Sequence, residues 1–299
     1  MSATPGAPAS CRQVHHRGQN EIPARSQRSQ RKLVSSARGS WLVSLARVLA
    51  CCLAGHPAAH AFAATSESSD AEREARNIVH HLLAQRPAEN YTNVGILKIR
   101  DANRQRTETQ VELQTFVTET NWQSHYVTRG TNKNHAVSLI VIHTAGLPNQ
   151  YQLANLSQPA GRTNECVTLR GSQAMIPFAG SDFWLADLGL EFLHWPGQRL
   201  LKKELKKSQS CYVIESTDPG ASGGYARVVS WMDIDSVRDA GQAAIVLAEA
   251  YDAQGKLVKE FEPKELKKVN GHWQLTEMEI RNAKTGSRTR IEFNLERKP

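Results

Sequence analysis

The sequence predicts an α+β fold, mainly antiparallel β, built as one strongly curved sheet around a few helices. Three observations predict it. Beyond Pro87 the apolar residues recur with a period of two along most of the chain. Short runs rich in Gly, Asn, Asp, Ser and Pro separate these segments, which favours strands that neighbour their sequence partners. Helical spacing occurs in two places, before the first strand and in the middle of the strand region. A single curved sheet around two helical pieces satisfies this pattern better than a sandwich.

Ser69-Asp70-Ala71-Glu72 has the capping-box pattern, and Ala71, Ala75, Ile78, Val79, Leu82 and Leu83 follow at spacings of three and four. That predicts an amphipathic helix ending before Pro87, with His80 and His81 late, as the helix dipole favours. Strands follow around Leu97–Arg100, Gln110–Val117, Tyr126–Arg129 and Val137–His143; Pro148–Arg170 is weaker. The helical piece from Ser181 to Trp195 carries an unusual apolar and aromatic load in Phe183, Trp184, Leu185, Leu188, Leu190, Phe192, Leu193 and Trp195. Strands return at Leu200–Lys207, Cys211–Ser216, Tyr225–Asp233 and Ile245–Tyr251. Turns are expected at Asp252–Gly255, Asn270-Gly271 and Ala283–Gly286, and the last strand alternates Thr289, Ile291, Phe293 and Leu295 against Arg288, Arg290, Glu292 and Asn294. About ten strands are expected in all.

The chain has 299 residues and a formal charge of +8, unevenly spread. Residues 1–63 hold eight basic residues and one acid, and the remainder 29 basic and 28 acidic. The basic balance therefore belongs to the leader, and the rest carries no global field for nucleic acid. Residues 1–40 lack the apolar residues needed to offset ordering entropy and read as a disordered basic extension. Residues 41–63 read as a signal peptide: a short apolar run, Trp41–Ala54, then Ala61-Phe62-Ala63 with cleavage expected before Ala64. Val48-Leu49-Ala50-Cys51 offers a lesser reading as a lipoprotein anchor at Cys51. Residues 64–299 then form a single exported domain, placed in the periplasm once the family below is considered.

Three of the five cysteines lie in the leader, which leaves Cys166 and Cys211. An even number in an oxidising compartment predicts one disulfide between them, with two buried free thiols as the alternative. Ser222-Gly223-Gly224, within the G-x-S-x-G pattern Gly220–Gly224, reads as a loop rather than a nucleophile elbow, since no strand-turn-helix surrounds it. No H-E-x-x-H, P-loop or G-x-G-x-x-G motif occurs, so no catalytic residue, metal ligand or cofactor site is assigned and an enzyme is not expected. Asp182 and Asp187 read as a helix cap and a solvated helix face. Lys202-Lys203-Glu204-Leu205-Lys206-Lys207 reads as a strand edge guarded by charge, with contact to a partner or an anionic lipid as its functional alternative.

Phe178-Ala179-Gly180-Ser181-Asp182-Phe183-Trp184-Leu185-Ala186-Asp187-Leu188 resembles the signature of bacterial outer-membrane lipoprotein-sorting proteins, periplasmic lipoprotein carriers related to LolA. Gly180, Ser181, Asp182, Phe183, Asp187 and Leu188 match the family's turn and acidic-Leu segment, and Ala186 departs where an acid is common. Cys211-Tyr212-Val213-Ile214-Glu215, Tyr225 to Asp233, and Tyr251-Asp252 with Gly255-Lys256-Leu257 resemble its later strands and hairpin. The resemblance covers roughly 72–296 and is best from 178 to 293.

The resemblance implies a half-open β-barrel whose helices form a lid over a hydrophobic cavity. The expected cargo is the acyl chains of lipoproteins or another lipid, received from an inner-membrane exporter and passed to an outer-membrane acceptor by a monomer. Such a carrier has a physical rationale, since a long acyl chain left in water costs on the order of 10 kcal/mol at about 0.8 kcal/mol per methylene. Phe183, Trp184, Leu185, Leu188, Phe192 and Trp195 are the candidate ligand-binding residues. An ordinary packed core segment is the plain alternative for them. An envelope-stress sensor of the same fold, binding lipid to regulate a protein partner, is the alternative function.

Overall fold

A computed structural model of the chain describes residues 59–130, 136–156, 166–220, 224–238, 245–269 and 272–294. The described residues from His60 onward belong to one compact unit. The basic extension, the apolar run of the leader, Cys51 and the Asn270-Gly271 turn lie outside the described residues. Among those described, no helix is long and apolar enough to cross a membrane.

Helix α1 runs Ala59–Leu83. It starts ten residues before the capping-box pattern at Ser69, because the Ala-rich stretch upstream of it favours helix and no breaker separates the two. Its apolar face is the one the spacing predicts, with Ala75, Ile78 and Val79 buried. The strands follow as β1 (Tyr91–Arg100), β2 (Arg106–Val117), β3 (Asn121–Arg129), β4 (Val137–Thr144), β5 (Gln150–Asn155) and β6 (Cys166–Leu169). After a connector come β7 (Gly197–Lys206), β8 (Gln209–Thr217), β9 (Arg227–Asp233), β10 (Ile245–Tyr251), β11 (Leu257–Val269), β12 (His272–Asn282) and β13 (Arg288–Asn294). Among the described residues thirteen strands thus stand where about ten were expected. The weak stretch 148–170 carries β5 and β6, and the turns around Asp252 and Asn282 bound full strands.

All thirteen lie in one antiparallel, curved and unclosed sheet, ordered β6-β5-β4-β3-β2-β1-β13-β12-β11-β10-β9-β8-β7. Each half is a meander of sequence neighbours, and pairing of β1 with β13 from Val94↔Asn294 to Arg100↔Arg288 joins the halves. At this seam the backbones approach closely: a Cβ on Gly95 would meet Glu292 O at 2.2 Å, so only glycine fits. Between β7 and β8, Lys207 and Ser208 both take positive φ, as a two-residue hairpin turn requires.

This order has one large consequence. β6 and β7 are consecutive in the chain but stand at opposite edges of the sheet. The connector between them, residues 170–196, must cross from one edge to the other. It does so over the inner face in 3-10 turns at Gly171–Ala174 and Glu191–His194 and one helical turn, α2 (Leu185–Leu188). The helix expected over Ser181–Trp195 is therefore a single turn. Leu190, with φ 50 in the left-handed region, breaks it before Pro196.

The inner face holds two apolar clusters. Leu97, Val111, Leu139, Val141, Tyr151, Met278, Ile280, Ile291 and Phe293 pack against connector residues Phe178, Phe183, Leu185 and Ala186. Under α1, Tyr212, Ile214, Val228, Met232 and Ala248 pack with Phe192, Leu193 and Trp195. The opposite face carries a third cluster, Cys211, Val213, Val229, Trp231, Val246 and Leu247, with Lys206 4.3 Å above the Trp231 ring. Across β1, β13 and β12 that outer face is a cross-strand ion network. Lys98 pairs with Glu292 at 2.6 Å, and Arg290 with Glu277 and Glu279 at 3.1 and 2.8 Å. A short helix not expected from sequence, α3 (Ile234–Arg238), follows β9, with Ser236 N bonded to Asp233 Oδ2 at 2.9 Å.

The predicted Cys166–Cys211 disulfide is not formed. Cys211 is a free, buried thiol that donates to Gln209 O at 3.5 Å. The reason is topological. Cys211 lies on β8, one strand from the β7 edge, and packs into the outer cluster, whereas Cys166 lies on β6 at the other edge. An even count of cysteines says nothing of which strands the fold brings together.

Candidate functional site

The connector places the six candidate residues in two groups. Phe183 and Leu185 are fully buried in the first inner cluster, with Leu188 half-buried against it. Phe192 and Trp195 are buried in the second, with Trp184 half-buried against it. The six do not form one continuous face. They line the passage of the connector from one half of the sheet to the other. Full burial of a side chain such as Phe183 contributes about 1.5–3 kcal/mol.

Polar ties fasten this apolar strap to the sheet. Asp182 Oδ1 and Oδ2 accept from Ser287 and Thr289 of the β13 end at 2.5 and 2.9 Å, and Asp182 N donates to Thr289 Oγ1 at 3.0 Å. Asp182 is thus a clasp to β13 rather than the helix cap expected. Asp187 Oδ2 accepts from Trp184 N at 2.7 Å, closing the single turn of α2. The same oxygen meets Lys259 Nζ at 3.0 Å, and Tyr225 OH donates to Oδ1. The Asp187 side chain is 10% exposed and the Lys259 side chain 2%, so Asp187 does not lie on a solvated helix face as expected.

Lys259 is the unexpected member of this site. On β11 it pairs with Ala250 and, with Phe261, points to the inner face. Its ammonium sits 3.5 Å over the Trp184 ring and 5.9 Å from the Tyr225 ring, and those two rings stack at 5.1 Å. Burial lowers the Lys259 pKa, against the pull of Asp187. Burial and the adjacent Asp187 hold the Tyr225 pKa well above 10, so its hydroxyl is a neutral donor. The alternation Leu257, Lys259, Phe261 was the signal available: a charge on the apolar side of a strand needs a buried partner.

Beside this group lies a cavity of about 20 Å³, lined by Asp187, Leu190, Phe192, Tyr225, Val228, Ala248, Ala250, Lys259, Phe261 and Ile280. It has room for about one water, far below the roughly 300–1,000 Å³ of ligand pockets. The connector fills the rest of the space.

A second polar group ties the far end of the strap. Tyr151 OH donates to Glu191 Oε2 at 2.8 Å, and Asn149 Nδ2 to Gly189 O at 2.7 Å. Gly189 must be glycine, since a Cβ there would meet the Tyr151 hydroxyl at 2.3 Å. Burial pushes the Glu191 carboxyl up to about 7, opposed by the bond from Tyr151. Burial also pushes His143 down to about 4, with His194 nearby adding to it, and the His143 ring stacks on Trp122 at 3.7 Å. Among the described residues, no three of His, Cys, Asp and Glu are placed to hold a metal ion.

A family model described as an uncharacterized protein matches residues 161–296. No curated protein matches the chain. Solved structures do match in fold. An outer membrane lipoprotein-sorting protein domain from Vibrio parahaemolyticus aligns with a TM-score of 0.61 and 18% identity, over 75% of this chain and 91% of that one. A DUF1329 family protein from Desulfovibrio piger gives 0.59 and 18%, over 75% and 92%. A LolA superfamily protein from Nitrosomonas europaea gives 0.50 and 15%, over 75% and 94%. The fold expected from the resemblance of the Phe178–Leu188 signature and the strands after it is thus borne out: a large, curved, unclosed antiparallel sheet with few helices, like those of these structures.

Proposed function

We propose that the protein is a periplasmic carrier that encloses lipid or lipoprotein acyl chains under its connector and delivers them toward the outer membrane. The observation that supports this most is the way the interior of the sheet is filled. An unclosed antiparallel sheet has an apolar concave face that must be covered. Here the cover between the two clusters is a strap outside the strand ladder, held mainly by side-chain ties at Asp182, Asp187 and Glu191. A strap of this kind can lift without unzipping strands. The apolar wall beneath it would then be open to an acyl chain in place of Leu185, Leu188 and Phe192. The likeness in fold to a lipoprotein-sorting protein domain and a LolA superfamily protein agrees with this reading. Export by residues 41–63, delivery from an inner-membrane exporter and transfer to an outer-membrane acceptor belong to the same proposal.

The test is hydrogen exchange on the full-length exported protein, with and without a detergent-free C12–C16 acyl ligand. Ligand should stoichiometrically deprotect amides in residues 184–195 and leave β1, β2 and β13 unchanged. Binding without change in the strap, or no binding of any acyl ligand, would overturn the carrier reading.

A further inference from the structure

We propose that Lys259 and Tyr225 form a binding site for the carboxylate of a free acyl acid, so that the preferred cargo is an acidic amphiphile rather than a neutral lipid. This deepens the carrier reading and rests on it. Lys259 Nζ and Tyr225 OH hold the two oxygens of one carboxylate, Oδ2 and Oδ1 of Asp187. The pair is therefore already shaped for a carboxylate, and Asp187 occupies it as a tethered stand-in.

The two donors and the stand-in belong to different parts of the fold. Lys259 is on β11 and Tyr225 lies two residues before β9, next to Ala226, whose N–H bonds to Tyr251 O at 2.9 Å, so both stay with the sheet. Asp187 and Asp182, the two carboxylates that act on Lys259, are both on the connector, as is the Trp184 ring beneath the ammonium. Lifting the strap to admit a chain removes all three at once. The ammonium, 2% exposed beneath the strap, would then face an apolar cavity with no counter-ion, at a large cost in free energy. A neutral ester leaves that cost in place. An acyl carboxylate removes it by taking the position of Asp187, with a charge-assisted bond from Lys259 and a second bond from Tyr225. The chain behind the head would run along Phe261, Ile280, Val228 and Ala248, which line the existing gap beside the two donors.

The experiment compares dodecanoate with methyl dodecanoate on the full-length exported protein at pH 8, by calorimetry and by thermal midpoint. The expected result is at least tenfold tighter binding of the acid. Lys259→Met should bring that ratio close to one, chiefly by tightening the ester at least severalfold, since no ammonium is then left without a counter-ion. Asp187→Asn removes the internal competitor. Its thermal midpoint should rise on addition of dodecanoate by more than that of the unaltered protein, which keeps the proposal open to refutation should Lys259→Met fold poorly. Equal affinity of the unaltered protein for acid and ester would overturn the proposal and leave the carrier reading standing. A ratio that persists in Lys259→Met would overturn it too. Failure of both ligands to bind would remove the carrier reading and this inference with it.

Discussion

Replacing Asp187 by Asn is expected to be costly in a way that depends on pH. The substitution keeps the shape of the side chain and an oxygen that can accept from Trp184 N, but it leaves Lys259 with no counter-ion at 3.0 Å. Breaking a buried ion pair from one side costs about 3–5 kcal/mol. The Trp184 ring 3.5 Å below the ammonium remains and places the expectation near the lower end, about 3 kcal/mol. For a unit of this size each kcal/mol moves the thermal midpoint by about 2–4 °C, so the loss at pH 7 is about 6–12 °C. Lys259 already has a pKa lowered by burial, and losing Asp187 lowers it further. Between its lowered folded pKa and the ordinary lysine value of 10.5 the unfolded chain binds more protons at this site than the folded variant, so the variant's stability rises with pH across that interval. Melting curves of both proteins from pH 7 to 10.5 should therefore converge as pH rises. A Lys259→Met, Asp187→Asn double variant should recover part of the loss, since no buried charge remains. A deficit under 1 kcal/mol, or one that does not change with pH, would refute the view that this pair is a buried and coupled one.

Glu191 gives the opposite slope. Its folded pKa of about 7 lies above the ordinary 4.5, so its stabilising effect is complete below the lower value and is lost as pH rises through the higher one; Glu191→Gln should flatten the decline in midpoint between pH 4.5 and 8. Phe183→Ala should cost about 3–5 kcal/mol by denaturant titration, since the ring is fully buried between connector and sheet. Leu188→Glu, at a half-buried position of the strap, should cost less stability than that and should abolish acyl binding; a variant that melts early and binds normally would place Leu188 outside the site. Cys211 should resist alkylation in the folded protein and react fully after denaturation without reductant, and its protection in the denatured, unreduced state would contradict the free thiol.

Local rules carried much of the fold. The spacing of Ala75, Ile78 and Val79 gave the buried face of α1, and the alternation of Thr289, Ile291 and Phe293 against Arg288, Arg290 and Glu292 gave the two faces of β13. Short turns gave a meander in each half. What local rules could not give was the pairing of β1 with β13 and the separation of β6 from β7, because both depend on contacts between distant parts of the chain. The errors follow from that gap. Ser181 to Trp195 reads as one helical piece with an unusual apolar and aromatic load, yet it must cross the whole sheet and so extends, turns and breaks at Leu190. Asp187 reads as solvated by local spacing, yet its partner lies 72 residues away on β11. Cys166 and Cys211 pair by parity and are kept apart by strand order.

The same topology bears on why a filled interior suits a carrier. A closed barrel packed by its own strands would have to break ladder bonds to open, and those are numerous and cooperative. On the carrier reading the element that moves is the crossover, and its attachment divides into two kinds. The apolar part that cargo would replace, Leu185, Leu188 and Phe192 at up to about 1.5–3 kcal/mol each, approaches the roughly 10 kcal/mol an acyl chain gains on leaving water, so one could replace the other with a modest net change. Such near-balance is what reversible loading needs, because a cargo that gained far more than the strap loses would never be released. The polar part is different. A hydrocarbon cannot replace the bonds at Asp182, Asp187 and Glu191, so each tie that opens must find another partner or cost free energy. Ties of this kind therefore set which cargo can hold the strap open. Among them Asp187 is the one whose partners stay behind on the sheet beside the cavity, and it is there that selectivity between a neutral chain and an acidic one would arise.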